Sequence, residues 1–277
     1  MNSTFAAPCT LHWCAALALT LCAMQPAFAD GTVVRVGGTG IALAALQQVG
    51  ASLTAAEPGI RVDVLPSMGT PGGIKALVEG AIDVAVVARA LKPEEKAKGV
   101  AEATCMTTAL VFASSHKAAQ GITRAQLPDI YADAAPKWPD GLPLKIILRS
   151  RAGSENPYLV AAIPAMGPAL DAAFKRPGMP VASTDQDNVK LAAQVTGSFA
   201  MMTLLQLKAE NLDLQALDLD GIAASAATIA NGTYPFPIRI CALLPAEPAP
   251  AAARFVAHLR SAAGKTIVAS LGAVPSD

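Results

Sequence analysis

The fold of this chain is decided by residues 67–77, which read SMGTPGGIKAL. An apolar run, Ile60–Leu65, leads into this stretch and predicts a buried strand, and the run Ile74–Glu79 that follows predicts a helix. Glycines let the backbone pass close to a ligand, and the first amides of a helix have no partner within it. Those amides and the helix dipole suit an anion; the alternative is a turn that binds nothing.

A second strand–loop–helix arrangement lies near the start of the chain. The strand Val33–Val36 is followed by GGTG at residues 37–40 and then by an apolar run, Ile41–Ala55, that predicts a buried helix. The motif is not a dinucleotide-binding fingerprint, because Leu43 stands where the third glycine is needed. Thr39 and its neighbour therefore lie where a helix N-terminus should open.

A third arrangement of this kind contains two arginines. The strand Leu144–Leu148 is followed by RSRAGSENP at residues 149–157, and a helix is predicted to begin at Tyr158. A planar guanidinium can hold two oxygens of an anion at once. Ser154 is interpreted as a hydroxyl donor to that anion or as a plain helix N-cap.

Strands and helices alternate along the first third of the chain, which predicts a parallel α/β sheet. A third apolar strand, Ile82–Val87, continues the pattern. Ligands of such sheets bind beyond the carboxyl ends of the strands, so Thr39, Thr70 and Arg89 are expected along one edge. The long apolar strand Cys105–Ser114 has no helix before it, which is typical of a strand that carries the chain into a second domain.

The charge balance excludes some classes of partner. The 277 residues include 21 basic and 21 acidic side chains, a formal net charge of zero. Nucleic acids and anionic membranes are bound by basic surfaces, so neither is an expected partner. Any anion must be held by local geometry.

The first residues predict export. Ala15–Met24 is an apolar core of signal-peptide length, and Ala27-Phe28-Ala29 supplies the small-x-small cleavage pattern. We expect cleavage after Ala29 and a mature chain of 277 − 29 = 248 residues in the periplasm. No Lys or Arg precedes the apolar core, and a lipoprotein interpretation through Cys22 is weaker because the bulky Leu21 precedes it.

Two cysteines remain in the mature chain, Cys105 and Cys241, both in apolar, strand-like runs. An oxidising compartment permits a disulfide, and two buried free thiols are an equal alternative. No cysteine or histidine spacing predicts a metal site, and no cofactor is expected. His116 and His258 are isolated in the sequence and are interpreted as solvated or structural.

Taken together, the loops resemble those of the phosphate-binding group of the type 2 periplasmic binding fold, the solute-binding proteins of ABC transporters. The matching segments are residues 37–40 (GGTG), 68–77 (MGTPGGIKAL), 82–83 and 88–92 (ID, ARALK), 148–154, 195–200 (VTGSFA) and 220–235. The resemblance implies an α/β fold of two lobes with mainly parallel sheets, joined by two crossover strands, with the ligand between the lobes.

The resemblance also implies a domain division. Residues 1–29 are the signal peptide, residues 30–107 plus 234–277 form lobe 1, and residues 108–233 form lobe 2. It places Cys105 and Cys241 near each other at the hinge, which makes a disulfide plausible. The expected partners are a small, phosphate-like oxyanion and a membrane ABC permease or sensor, with the protein a monomer.

The expected ligand-binding residues come from all three loops. Arg149 at the strand end is favoured over Arg151 as the arginine that holds the anion, and Ser154 matches the serine of a Ser-Gly-Thr triplet. The full set is Thr39, Gly40, Gly69, Thr70, Gly72, Gly73, Arg89, Arg149, Arg151, Ser154 and Glu155.

The sequence departs from the family pattern in two places. Glu155-Asn156 follows Ser154 where the family has Gly-Thr, and Ala88-Arg89 stands where some members carry the acid that accepts the phosphate proton. Glu155 is interpreted either as taking over that acidic role from the other lobe or as a solvated residue in the first turn of a helix.

Three functions remain open on sequence alone. The first is a binding protein without catalysis that supplies an oxyanion to a permease or sensor. The second is an enzyme, against which the chain lacks Gly-x-Ser-x-Gly, His-Glu-x-x-His and Gly-Lys-Ser/Thr motifs. The third is an interaction or sensor module of the same fold that has lost or changed its anion specificity.

Overall fold

The computed structural model of the protein describes residue 1, residues 32–151 and residues 153–276. Residues 2–29 of the predicted signal peptide, and the cleavage point after Ala29, lie outside the described residues. In the part of the chain that is described, no helix is both long enough and apolar enough to cross a bilayer.

The strands form one curled sheet in the order β2-β1-β3-β9-β4-β7-β5-β6, with β8 and β10 also paired to β4. Their bounds are β1 (Thr32–Gly38), β2 (Ile60–Val64), β3 (Val84–Val87), β4 (Val100–Ser114), β5 (Lys145–Arg149), β6 (Val181–Ala182), β7 (Ser198–Thr203), β8 (Gln215–Ala216), β9 (Pro237–Pro245) and β10 (Ala273–Pro275).

The helices lie between these strands and after them. Their bounds are α1 (Leu43–Ala56), α2 (Gly69–Val78), α3 (Pro93–Lys96), α4 (Leu127–Ala132), α5 (Glu155–Ala162), α6 (Met166–Lys175), α7 (Asp185–Gln194), α8 (Leu204–Ala209), α9 (Ala226–Ala230), α10 (Pro250–Arg260) and α11 (Ala262–Ser270). Short 3-10 turns cover Gly40–Ala42 and Arg124–Gln126.

Lobe 1 is built on the parallel strands β2, β1 and β3. Helix α1 connects β1 to β2 and helix α2 connects β2 to β3, which makes two successive βαβ units. Val34 and Val36 of β1 are buried in the same apolar core as the inner residues of α1 and α10, since β-branched side chains pack well on a pleated surface. The carboxyl ends of all three strands therefore lie at one edge of the sheet.

Lobe 2 repeats this plan with the parallel strands β7, β5 and β6. Its core is aromatic: Phe199 of β7 stacks on Phe112 of β4 with ring centroids 5.0 Å apart, and Tyr131 and Trp138 meet Phe199 edge-on. Trp138 also donates from its indole nitrogen to the Gly197 carbonyl, so it is a packing residue. The carboxyl ends of these strands face those of lobe 1 across a cleft.

Two long antiparallel strands, β4 and β9, join the lobes. Strand β9 pairs with β3 of lobe 1, and β4 pairs with β7 of lobe 2. Cys105 and Cys241 are opposite each other on this pair and form a disulfide. The question of a disulfide or two free thiols is thus resolved in favour of the disulfide. Because it closes a long loop, the bond restricts the unfolded chain strongly.

Two predictions about the central loop need correction. The strand at Ile60–Leu65 was expected to be buried, but β2 has a single neighbour at the sheet edge and only its first residue, Ile60, is buried. Helix α2 begins at Gly69 and not at Ile74. Gly69 adopts φ +68°, which makes the turn, and Pro71 fits the first turn of a helix because its missing N–H would have no partner there.

The start of α5 is also earlier than predicted. The helix begins at Glu155 and not at Tyr158. The proline at position 157 suggested a boundary, but a proline is well tolerated in the first turn of a helix. Glu155 consequently lies in the first turn of α5, with its side chain buried.

Candidate functional site

A cleft of about 960 Å³ separates the two lobes. It is lined by loops that follow the carboxyl ends of β1, β2, β3, β5 and β6, together with part of β9. Eight of the predicted site residues line it, namely Thr39, Gly69, Thr70, Arg89, Arg149, Arg151, Ser154 and Glu155. The three strand–loop–helix segments predicted from the sequence thus converge on one cavity.

Arg149 is the last residue of β5 and is only 5% exposed. Its Nη2 donates to Asp185 Oδ1 at 2.7 Å, and its Nη1 donates to the carbonyl of Thr184. One face of the guanidinium is therefore satisfied by the protein, while its Nε is buried without a hydrogen-bond partner among the described residues.

Glu155 lies on the other side of that free nitrogen. Its Oε2 is 3.9 Å from Arg149 Nε, and it too has no hydrogen-bond partner within the described part of the chain. The residue is 3% exposed. Burial raises the pKa of the Glu155 carboxyl, the charge of Arg149 opposes the increase and the charge of Asp185 adds to it. The interpretation of Glu155 as a solvated first-turn residue is therefore wrong.

Asp185 is the site residue that the sequence interpretation missed. It begins α7 in lobe 2, and its Oδ2 accepts hydrogen bonds from the Gly40 amide at 2.7 Å and from the Ser67 hydroxyl at 3.3 Å, both in lobe 1. Thr184 and Asp187 form a capping box, so the local sequence is typical of a helix start and does not distinguish the acid between them as a site residue. Asp185 and Arg149 are 36 residues apart in the sequence, so no sequence motif connects them.

Hydroxyl groups complete the polar lining. Thr70 Oγ1 accepts from the Ala88 amide at 3.1 Å, which leaves its own proton free to donate, and Thr39 is 3% exposed at the end of β1. Ser154 occupies the N-cap position of α5, yet in the described chain its side chain makes no capping hydrogen bond. The hydroxyl of Ser154 is therefore not used as a plain helix cap.

The other two arginines of the predicted set line the cleft but are engaged elsewhere. Arg89 Nη2 lies 2.7 Å from Glu95 Oε1, and this pairing lowers the pKa of Glu95 to about 2. Arg151 pairs with the exposed Asp171 at 2.9 Å and lies over the ring of Phe174. Of the three arginines, only Arg149, at the strand end, is buried.

Three predicted glycines do not line the cleft. A Cβ on Gly73 would lie 2.6 Å from the Cα of Gly38, so this position allows α2 to pack directly on the end of β1. Gly72 has more room, since its Cβ would meet the flexible side chain of Met68 at 3.1 Å. Gly40 contributes its amide to Asp185. Gly72 and Gly73 are thus placed in helix packing, outside the cavity lining.

One group of potential metal ligands occurs in the described part of the chain, namely Glu102, Cys105 and Cys241. Both cysteines are in the disulfide, and a metal requires a thiolate. The cleft is lined by four arginines, of which Arg149 is buried, by backbone amides and hydroxyls, and by the carboxylates of Glu155 and Asp185. The arginines, amides and hydroxyls are donors that suit an oxyanion better than a cation.

A profile of the PBP superfamily domain matches residues 25–262. The chain therefore belongs to the periplasmic binding protein (PBP) superfamily. No curated protein matches the sequence.

Solved structures of this fold are similar over nearly the whole chain. A Clostridium perfringens protein described as a phosphate ABC transporter substrate-binding protein, with bound phosphate, has 17% identity and a TM-score of 0.73, covering 89% of this chain and 100% of its own. The Azotobacter vinelandii periplasmic molybdate-binding protein has 14% identity, a TM-score of 0.60 and coverage of 88% and 100%. An ABC-type phosphate transport receptor from Vibrio cholerae has 16% identity, a TM-score of 0.58 and coverage of 87% and 99%. The predicted family resemblance and two-lobed α/β fold are confirmed.

Proposed function

We propose that this chain is an exported solute-binding protein that captures phosphate or a similar oxyanion between its two lobes. The observation that carries the proposal is the buried guanidinium of Arg149, which lines the cleft with an unpartnered Nε. A buried polar nitrogen without a partner is costly, and an oxyanion oxygen would satisfy it. The phosphate and molybdate binders of the same fold support this class of ligand.

The remaining donors come from both lobes. Helices α2 and α5 begin at the cleft, and their first amides lack helical partners. Thr70 and Ser154 add hydroxyl groups. Hydrogen bonds to a charged group contribute about 1.5–3 kcal/mol each. Roughly five or six of them would support the ~8 kcal/mol of a micromolar complex after ordering costs.

Glu155 makes binding depend on whether the ligand carries a proton. Its carboxyl group accepts a hydrogen bond when ionised and donates one when protonated. Burial raises the pKa of the Glu155 carboxyl, which favours its protonated form over that of a solvated glutamate. A ligand that carries a proton is held by this arrangement, whereas an oxyanion without one meets a carboxylate it cannot bond unless Glu155 itself is protonated. We therefore place phosphate and arsenate ahead of sulfate.

Several features of the wider function belong to the same proposal. The protein is exported by its signal peptide to the periplasm, works as a monomer without catalysis, and delivers its ligand to a membrane ABC permease. Lobe 1 comprises residues 30–107 and 234–277, and lobe 2 comprises residues 108–233. The apolar cores support the division in outline, since one core contains the buried residues of β5 and β7 and another those of β1. Tyr234 and Phe236, at the start of the 234–277 segment, pack in the core of lobe 2.

A thermal melting screen of the mature protein tests the proposal. The panel is phosphate, arsenate, sulfate, phosphite, molybdate and small carboxylates. A ligand at 100 times its dissociation constant adds about 2.7 kcal/mol to the free energy of unfolding. For a chain of this size, this corresponds to a rise in melting temperature of roughly 5–10 °C. We expect phosphate or arsenate to produce the largest rise. If no oxyanion raises the melting temperature at millimolar concentration, the proposal is wrong.

The alternative is a sensor or interaction module of the same fold with lost or changed anion specificity. The observation that favours it is the contact of Asp185 with Arg149 and Gly40, because a carboxylate of the protein already occupies two anion donors. This alternative predicts a flat melting screen. It also predicts that Arg149→Ala leaves any ligand response unchanged.

A further inference from the structure

The oxyanion donors of the cleft already hold a carboxylate that belongs to the protein. Asp185 Oδ1 accepts from Arg149 Nη2 at 2.7 Å, and Asp185 Oδ2 accepts from the Gly40 amide at 2.7 Å and the Ser67 hydroxyl at 3.3 Å. An arginine, a backbone amide at the start of a helical turn and a serine hydroxyl are the groups that recognise anions. Asp185, which is 5% exposed, uses all three.

The same carboxylate connects the lobes. In lobe 2, Arg149 ends β5 and Asp185 follows β6, whereas Gly40 and Ser67 follow strands of lobe 1. A Cβ added to Gly40 would lie 2.6 Å from the Cβ of Asp185, so no water or ligand fits between the two segments. Next to this contact, Gln186 Nε2 reaches the Gly40 carbonyl at 3.5 Å. Asp185 therefore holds one end of the cleft closed while the remainder stays open.

We propose that the carboxylate of Asp185 occupies the oxyanion site in the ligand-free protein and acts as a latch that holds the two lobes together. This carboxylate must leave the site when an oxyanion binds. The inference rests on the proposed function. An ionised Asp185 beside Arg149 repels a second anion at the same donors. The ligand therefore replaces Asp185 at Arg149 and Gly40, and the freed carboxylate turns toward solvent.

The latch lowers the apparent affinity and selects among ligands. A ligand that binds only the unlatched state has its affinity reduced by the fraction of protein that is unlatched. A monocarboxylate ligand gains no binding free energy by replacing Asp185, because its two oxygens would make the same contacts as the Asp185 carboxylate. A tetrahedral oxyanion gains binding free energy, because it has additional oxygens to accept from the unpartnered Arg149 Nε and from the free amides at the starts of α2 and α5. The latch thus discriminates against carboxylates.

The test uses Asp185→Asn, which keeps the shape and removes the charge, and Asp185→Ala, which empties the position. Asp187→Asn is the matched control, because Asp187 lies in the same helical turn and caps α7 away from the cleft. Calorimetric titration with inorganic phosphate should give at least tenfold tighter binding for both Asp185 variants and unchanged binding for the control. Equal or weaker binding by the Asp185 variants overturns the proposal.

A second measurement does not depend on ligand binding. Small-angle X-ray scattering of the ligand-free proteins should give a larger radius of gyration for Asp185→Asn than for the wild type or Asp187→Asn, since the lobes separate. An unchanged radius overturns the latch. If phosphate and the other oxyanions bind to none of the proteins, the proposed function fails, and the scattering result alone decides the latch. Thermal melting confirms that each variant is folded before either measurement.

Discussion

Replacement of Arg149 by methionine tests whether the buried charge pair contributes to stability. Methionine roughly preserves the volume of the arginine stem and removes the guanidinium. The change leaves Asp185, 5% exposed, without its cationic partner. Breaking a buried pair costs about 3–5 kcal/mol. We expect the lower end of that range, because Asp185 keeps its bonds to Gly40 and Ser67 and can turn to solvent.

A loss of about 3 kcal/mol lowers the melting temperature by roughly 6–12 °C for a domain of this size. The assay is thermal unfolding in phosphate-free buffer, followed by circular dichroism. Arg151→Met is the matched control, because Arg151 forms an exposed pair with Asp171 that contributes little. The double variant Arg149→Met/Asp185→Asn should recover much of the loss, since it removes both charges of the pair.

The reasoning is refuted if Arg149→Met and Arg151→Met melt at the same temperature. It is also refuted if the double variant is destabilised by the sum of the two single changes, because residues that share a buried pair should not behave additively. Either result would mean that the Arg149–Asp185 contact adds no stability beyond that of a surface pair.

Three further predictions concern the residues around this pair. The pKa of Glu155 is raised above its ordinary value of 4.5 in the folded protein, so its burial costs stability as the pH rises through the folded-state value. Glu155→Gln should therefore gain melting temperature relative to the wild type at pH 8 but not at pH 4, and an equal difference at both would contradict this. Gly73→Ala should destabilise the fold by about 1–3 kcal/mol, because its Cβ meets the Gly38 backbone, while Gly72→Ala, which meets a flexible side chain, should cost less in the same urea titration. Thr70→Ala should weaken phosphate binding at least tenfold in calorimetry and Thr70→Ser should preserve it; similar affinities for the two variants would argue against a role for the hydroxyl.

The local sequence pattern predicted the parallel sheet, and the family resemblance implied its division into two lobes. Apolar runs of strand length and helix-forming runs alternate along the chain, and this local pattern determines a parallel α/β sheet with its loops at one edge. The same rule predicted Thr39, Thr70 and Arg89 along one edge, and the family resemblance added Arg149. All four line the interlobe cleft.

What the sequence could not predict depends on contacts between distant segments. The burial of β2 depends on whether it has one neighbour or two, which its own residues do not encode. The role of Asp185 follows from its contact with Gly40, 145 positions away along the chain. Arg149 is buried and Arg151 exposed because β5 ends at Arg149, whereas two residues of a continuing strand at this spacing would share a face.

The central claim is that an oxyanion is held in the interlobe cleft beside Arg149. Crystals of the mature protein grown with arsenate test this directly, since arsenic gives an anomalous peak that locates the ligand without ambiguity. The account predicts one strong peak in the cleft, with an arsenate oxygen about 3 Å from Arg149 Nε. A peak on the protein surface, or none at an arsenate concentration that saturates the wild type in solution, would contradict it.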